Sequence, residues 1–309
     1  MRAFLHGFGM HMPERVVTNA EIAARVERTA EWIEGASGIR ERRWAAAETS
    51  VADLAIAAAG DCLARADVAA SSLGLIIVAS GSARPGFPGP AAEVADRLGL
   101  ESTPAIDVPM ASAGSLFGMA MAAHMSAQFG DVLVIGVEKM SALIESAALD
   151  PSTAILFGDG AGAVLVSSRP GPWEILDVVL HSDGQYRDAL AFDWSTPLRM
   201  DGLSVILQAS RKLPSAINEV LTRQSVAAGD VTQFLLHQAN QNLLARVAKS
   251  LGVPAERIYS NVARYGNTSS ASMLIAAAEW SHTNPAPGPV VFSAFGAGFH
   301  WGAMLARGV

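Results

Sequence analysis

Three residues far apart in the chain could together perform acyl transfer: Ser112, His237 and Asn267. Ser112 lies in AIDVPMASAGSLFGMAMAAHM (105–125), where an apolar run ends at Val108 and small residues lead into a helical pattern carrying Leu116, Met119 and Ala123. A hydroxyl in such a strand-to-helix turn is exposed and faces the backbone N–H groups of the helix start, as in a nucleophile elbow. The G-x-S-x-G pattern is incomplete, because Met110 stands where the first glycine belongs. A helix cap is the competing role for Ser112. His237 follows the apolar FLL of FLLHQANQNLL (234–244) and precedes a helix, so it falls at the carboxyl end of a strand. Its plainer role is a satisfied polar group. Asn267 occupies the turn of NVARYGNTSSASM (261–273), where its plainer role is an Asx turn. Brought together, a hydroxyl, an imidazole and a carboxamide supply a nucleophile, a base and a hydrogen-bond donor.

The elements that must position them alternate between short apolar runs and amphipathic helical stretches, the pattern of an α/β protein. LGLIIVAS (73–80), DVLVIGVEKM (131–140), AGAVLVSS (161–168), FLLH (234–237) and PVVFSAF (289–295) read as buried strands, with helices over 91–99 and 242–252. The chain also repeats itself. AAEVADRLGLESTPAIDV (91–108) is echoed by LLARVAKSLGVPAERIYSNV (243–262), and FGDGAGAVLVSS (157–168) by FGAGFHWGAMLA (295–306). The common order predicts a duplicated α/β unit, with residues 1–170 carrying Ser112 and 171–309 carrying His237 and Asn267. In such a molecule the ligand site lies at the carboxyl ends of the strands, where the halves face each other. The stretch 183–202 breaks the alternation and reads as an inserted loop, either a solvated excursion or a wall of the substrate entrance.

Composition narrows the chemistry. Half of the 309 residues are hydrophobic and 17% charged, enough to bury a large core. A net charge of −7 without a Lys/Arg run argues against a nucleic-acid partner. No stretch of about 18 uncharged apolar residues predicts a membrane span, and the N-terminal residues lack the apolar block of a signal peptide, so a cytoplasmic location is expected. The single cysteine, Cys62, sits in an alanine-rich helical pattern and reads as a buried structural thiol. Neither a metal site nor a dinucleotide fingerprint is apparent in the histidine and glycine spacing.

At these same residues the sequence resembles β-ketoacyl-ACP synthase III, a thiolase-fold family, through almost its whole length. PERVVTNAEIA (13–23), EWI (31–33) and SGIRERR (37–43) resemble the family's opening, IDVPMASAGS its nucleophile segment, and LLHQAN and RYGNTSSAS its histidine and asparagine motifs. FGDGAGA and AFGAGFHWG complete the set in the expected order. The resemblance implies a five-layered αβαβα arrangement and a homodimer. It implies no permanently bound cofactor, the substrate being a coenzyme A or acyl-carrier-protein thioester. It also places Ser112 at the nucleophile, His237 and Asn267 at the catalytic pair, and the backbone N–H groups of Ser112 and Ala297 at the oxyanion hole. Trp32 takes the place of the tryptophan that stacks on adenine, and Phe87 that of the phenylalanine that crosses to the partner's acyl pocket.

The departures from the family pattern are equally specific. Ser112 replaces the nucleophilic cysteine, and Ser115 stands at a position usually bulky. Cations that hold the nucleotide are missing at Asn242, at Ala36 and within 150–160. A hydroxyl is far less acidic than a thiol and needs a base at the moment of attack, for which His237 is the candidate. The acyl enzyme would be an oxyester, which favours transfer of the acyl group to oxygen, nitrogen or sulfur, as in polyketide or other secondary-metabolite assembly. Decarboxylative carbon–carbon condensation is the alternative. Two further readings are a non-catalytic partner of a cysteine-bearing homologue and a chain whose cysteine was exchanged by design.

Overall fold

A computed structural model of the chain describes residues 2–84, 86–145, 150–283 and 285–309. Among them nine strands form one sheet: β1 (Phe4–His11), β2 (Leu73–Ala79), β3 (Ala105–Val108), β4 (Asp131–Lys139), β5 (Asp159–Ser167), β6 (Trp173–Ser182), β7 (Gln233–Leu236), β8 (Pro289–Gly296) and β9 (His300–Gly308). Their spatial order is β7-β8-β9-β6-β1-β5-β4-β2-β3. Seven helices matter for the site: α1 (Ala30–Ser37), α2 (Val51–Ala66), α3 (Pro90–Arg97), α4 (Gly114–Phe129), α5 (Gly202–Arg223), α6 (Gln241–Leu251) and α7 (Ser272–Ser281).

The order reads as the same motif twice. In the first half β1 and β4 flank β5 antiparallel, and β2 runs parallel to both β4 and β3. In the second, β6 and β8 flank β9 antiparallel, β7 runs parallel to β8, and a parallel bridge from Phe234 to Ile258 stands where β3 stands in the first half. The named strands of the two halves meet where Phe4 and Leu5 of β1 oppose Glu174 and Trp173 of β6, and an isolated parallel bridge joins Phe157 to Asn267.

Strands buried on both faces explain the continuous apolar runs in the sequence. On β2, Leu75 and Ile77 point into a core shared with α4, α7 and the second half, while Ile76 and Val78 point into a separate core under α2 and α3. A third core under α5 and α6 collects Val291, Ala303 and Leu305 from the second half. The layers are therefore α2/α3, the first-half strands, α4/α7, the second-half strands, and α5/α6, the five-layered αβαβα arrangement of the thiolase fold. The central helices are nearly apolar all round, as burial between two sheets requires. Cys62 is fully buried on α2; its thiol donates to the Gly7 carbonyl at 3.4 Å, and burial pushes it up to about 12. No helix among the described residues is long and apolar enough to cross a membrane.

Candidate active site

Ser112 stands in a tight turn between β3 and α4, and its φ of +64° puts a residue with a side chain in the left-handed region. Strain of this kind costs on the order of 1–3 kcal/mol and persists only where the surroundings impose it. The surroundings here are close. Ala113 N–H donates to the Ala111 carbonyl at 2.7 Å, and Gly296 of β8 passes so near that a Cβ on it would meet the Ala111 oxygen at 2.0 Å. Ala113, not Ser112, is the N-cap of α4 and makes no side-chain bond, so the capping role does not apply. Ser112 is left with its side chain at a cavity wall.

His237 follows β7, as its position after FLL requires, and its N–H donates to the Ser293 carbonyl of β8 at 2.9 Å. Its ring is buried, with Nδ1 2.6 Å from Ser272 Oγ. The Ser272 hydroxyl donates to the Ser269 carbonyl at 2.9 Å and accepts from Gln238 N–H at 3.0 Å. Its one proton is thereby committed, so His237 Nδ1 carries the hydrogen and Nε2 is left as the acceptor. Burial drives the imidazole down to about 4, against the opposing pull of its bond to the Ser269 backbone. The ring is a neutral base.

Asn267 sits just ahead of α7, its main chain held by bonds of its N–H to Leu156 O (2.8 Å) and of Gly158 N–H to its own carbonyl (3.1 Å). Oδ1 accepts from Ser269 N–H at 2.8 Å. The Asx turn is therefore present, and it fixes the amide so that Nδ2 remains as a donor.

The three side chains meet. Ser112, His237 and Asn267 line one cavity of about 160 Å³ together with Phe157, Leu243 and Phe295. Ser112 also lines an adjoining cavity of about 320 Å³ with Gly81, Ala297 and Ser269. Leu190 borders both, and Phe192, Leu198 and Met200 border one or the other, so the 183–202 insertion forms part of the wall.

Two details differ from the sequence expectation. No hydrogen bond joins Ser112 to His237; the hydroxyl's recorded partner is Ser269 Oγ at 3.3 Å. The Ser112 N–H, expected to face the substrate oxygen beside that of Ala297, donates to Ser269 Oγ at 2.9 Å. The hydroxyls of 269 and 272 thus belong to the site, although sequence reasoning passed over them as filler in a small-residue turn. Their crowding in TSSAS, directly after the singled-out asparagine, was the available signal.

The remaining candidates lie outside these two cavities. Trp32, on α1, is half-exposed, and the Arg28 guanidinium lies over its ring at 5.3 Å. Nearby, Asn242 Nδ2 donates to the Ala36 carbonyl at 2.9 Å, so two positions expected to carry cations are tied to each other as neutral groups. Phe87 is 99% exposed and borders a surface groove with Arg84, Gly89, Asp107 and Trp194.

Comparison with known proteins places the chain in a family. Residues 106–184 match the family described as 3-Oxoacyl-[acyl-carrier-protein (ACP)] synthase III, and residues 221–307 match its C terminal. Over 328 residues the chain is 37% identical to a protein of Oleidesulfovibrio alaskensis named "Beta-ketoacyl-[acyl-carrier-protein] synthase III", covering 99% of both. The chain belongs to the 3-oxoacyl-ACP synthase III family. Among solved synthase III structures, that from Aquifex aeolicus superposes with a TM-score of 0.94 at 33% identity, covering 99% of each chain. The priming β-ketosynthase of the R1128 polyketide pathway superposes at 0.89 and 30% identity, covering 99% of this chain and 96% of that one.

Proposed function

We propose that the chain is an acyltransferase of the β-ketoacyl-ACP synthase III type, moving an acyl group from a thioester through an acyl-Ser112 intermediate. The convergence of Ser112, His237 and Asn267 on one cavity carries the reading. The thioester carbonyl carbon bonds to Ser112 Oγ as the Ser112 proton passes to His237 Nε2. The oxyanion forms beside the Ala297 N–H, the carbon–sulfur bond breaks, and His237 returns the proton to the leaving thiol. Asn267 Nδ2 supplies a further donor to the acyl oxygen. A neutral imidazole with Nδ1–H fixed by Ser272 suits this role.

Transfer to an oxygen, nitrogen or sulfur acceptor fits the oxyester better than carbon–carbon condensation does. The donor is a coenzyme A or acyl-carrier-protein thioester. The neutral Asn242–Ala36 contact favours a donor held mainly through its pantetheine arm, with Trp32 and Arg28 as the platform for an adenine when coenzyme A is used. Two features support a homodimer as the working form. Strand β3 ends the sheet with a half-exposed edge, and Phe87 projects beside it wholly uncovered.

Incubation with acyl-coenzyme A, acyl-pantetheine and acyl-carrier-protein donors, followed by intact-protein mass, tests the proposal. An acyl adduct that maps to Ser112 and vanishes in Ser112→Ala is expected. Absence of adduct with every donor, or its survival in Ser112→Ala, would overturn the mechanism. Light scattering at micromolar concentration should give twice the chain mass; a monomer would overturn the dimer.

A further inference from the structure

Ser269 has three polar groups, and each faces a different member of the candidate triad. Its hydroxyl lies 2.9 Å from Ser112 N and 3.3 Å from Ser112 Oγ. Its N–H donates to Asn267 Oδ1 at 2.8 Å. Its carbonyl accepts from Ser272 Oγ at 2.9 Å, and that oxygen holds His237 Nδ1. The residue is 1% exposed and has φ +44°, a left-handed conformation that a serine adopts only when held there. Packing alone does not call for a buried hydroxyl with such a backbone.

We propose that Ser269 is a fourth catalytic residue, whose hydroxyl donates to Ser112 Oγ while that oxygen becomes the nucleophile. The inference rests on the reading of Ser112 as the acylated residue. The Ser112 N–H already donates to Ser269 Oγ, so the Ser269 proton is free to point at the neighbouring oxygen, and a hydroxyl polarised by one donor is itself a stronger donor. At 3.3 Å the bond is loose for a hydroxyl pair, whose usual separation is about 2.7–2.8 Å. It shortens where loss of the Ser112 proton to His237 runs ahead of the new carbon–oxygen bond and leaves partial negative charge on Oγ before the charge passes to the thioester oxygen, and an interaction that tightens only then accelerates the chemical step. The Ser112 proton still goes to His237 Nε2 and returns to the departing sulfur. Ser269 keeps its own proton throughout.

A serine nucleophile is where such a donor matters. A thiol ionises near pH 8.5 and its sulfur accepts hydrogen bonds weakly, so a cysteine at the same place gains little from it. That difference supplies the test. Single-turnover acylation is followed by intact-protein mass, using whichever of acetyl-, butyryl- and octanoyl-pantetheine modifies the wild type fastest. Ser269→Ala and Ser269→Gly are compared with the parent, once with Ser112 and once in the Ser112→Cys background. The glycine variant relieves the left-handed strain, so it remains folded even if the alanine variant does not. Loss of a bond to a developing charge should slow acylation about 10- to 100-fold with Ser112. In the Ser112→Cys background the loss should stay below about threefold. Equal losses in both backgrounds would mean a purely structural role, and no loss with Ser112 would mean none; either overturns the inference. If the wild type takes no acyl group from any donor, the acyl-Ser112 reading has failed instead.

Discussion

Acidifying the solution from pH 8 to pH 4 should reveal how deeply the base at residue 237 is buried. An unfolded histidine binds a proton near pH 6.5, whereas the folded imidazole waits until about 4. Between those values the unfolded chain holds more protons, so folding stability falls as pH drops through this window and levels off below it. The full difference of about 2.5 units corresponds to about 3 kcal/mol at 1.36 kcal/mol per unit, and about 2 kcal/mol of it is lost by pH 5. Urea unfolding at pH 8 and pH 5, on wild type and His237→Gln, isolates this residue: the stability gap between the two proteins should shift by about 2 kcal/mol in favour of the variant at the lower pH. Catalysis reports the same group from the other side. The base works when neutral, so the acid limb of kcat/KM should fall near pH 4 and leave the rate nearly flat between pH 7 and about 5. An acid limb near 6.5, or a stability gap that ignores pH, would refute the assignment of a desolvated neutral imidazole.

Other perturbations reach different parts of the site. Ser272→Ala removes the oxygen that holds Nδ1–H and should lower kcat about three- to tenfold with KM for an acyl-pantetheine donor unchanged, as steady-state kinetics would read. Gly296→Ala drives a methyl into the turn that carries Ser112; urea unfolding should show a loss of at least about 1–3 kcal/mol, and acylation should fail with it. Ser115 has a buried hydroxyl without a hydrogen-bond partner, so Ser115→Ala should raise the urea midpoint by the equivalent of about 1 kcal/mol with an unchanged slope.

The parts of this molecule that were legible in the sequence are those where local pattern and burial coincide. Strands buried on both faces announce themselves as apolar runs, and β2, β4 and β5 begin and end within about two residues of LGLIIVAS, DVLVIGVEKM and AGAVLVSS. Strand β1 is less visible, since FLHGFGMH mixes histidines and glycines with its apolar positions. Gly9 explains part of that: α2 packs so closely that a Cβ there would meet the Cys62 backbone at 2.2 Å. The placement of Ser112 and His237 after strand ends followed from the strands themselves, whereas Asn267 follows a short helix, Val262–Tyr265, that the sequence reading did not foresee. Their hydrogen bonds did not. Whether Ser112 caps its helix depends on a backbone torsion, and whether it meets His237 depends on a hydroxyl from a loop 157 residues away. Ser269 and Ser272 carry no periodic signal, and their crowding after Asn267 marks the segment without saying which hydroxyl reaches the site; the folded contacts do that.

The short loop from Asn267 to Ser272 has a consequence for how this enzyme tolerates change. Amide, hydroxyl and imidazole are all anchored through these six consecutive residues, so their positions are not independently adjustable. One residue inserted or deleted there would misplace all of them together. Failure at this loop is abrupt rather than graded.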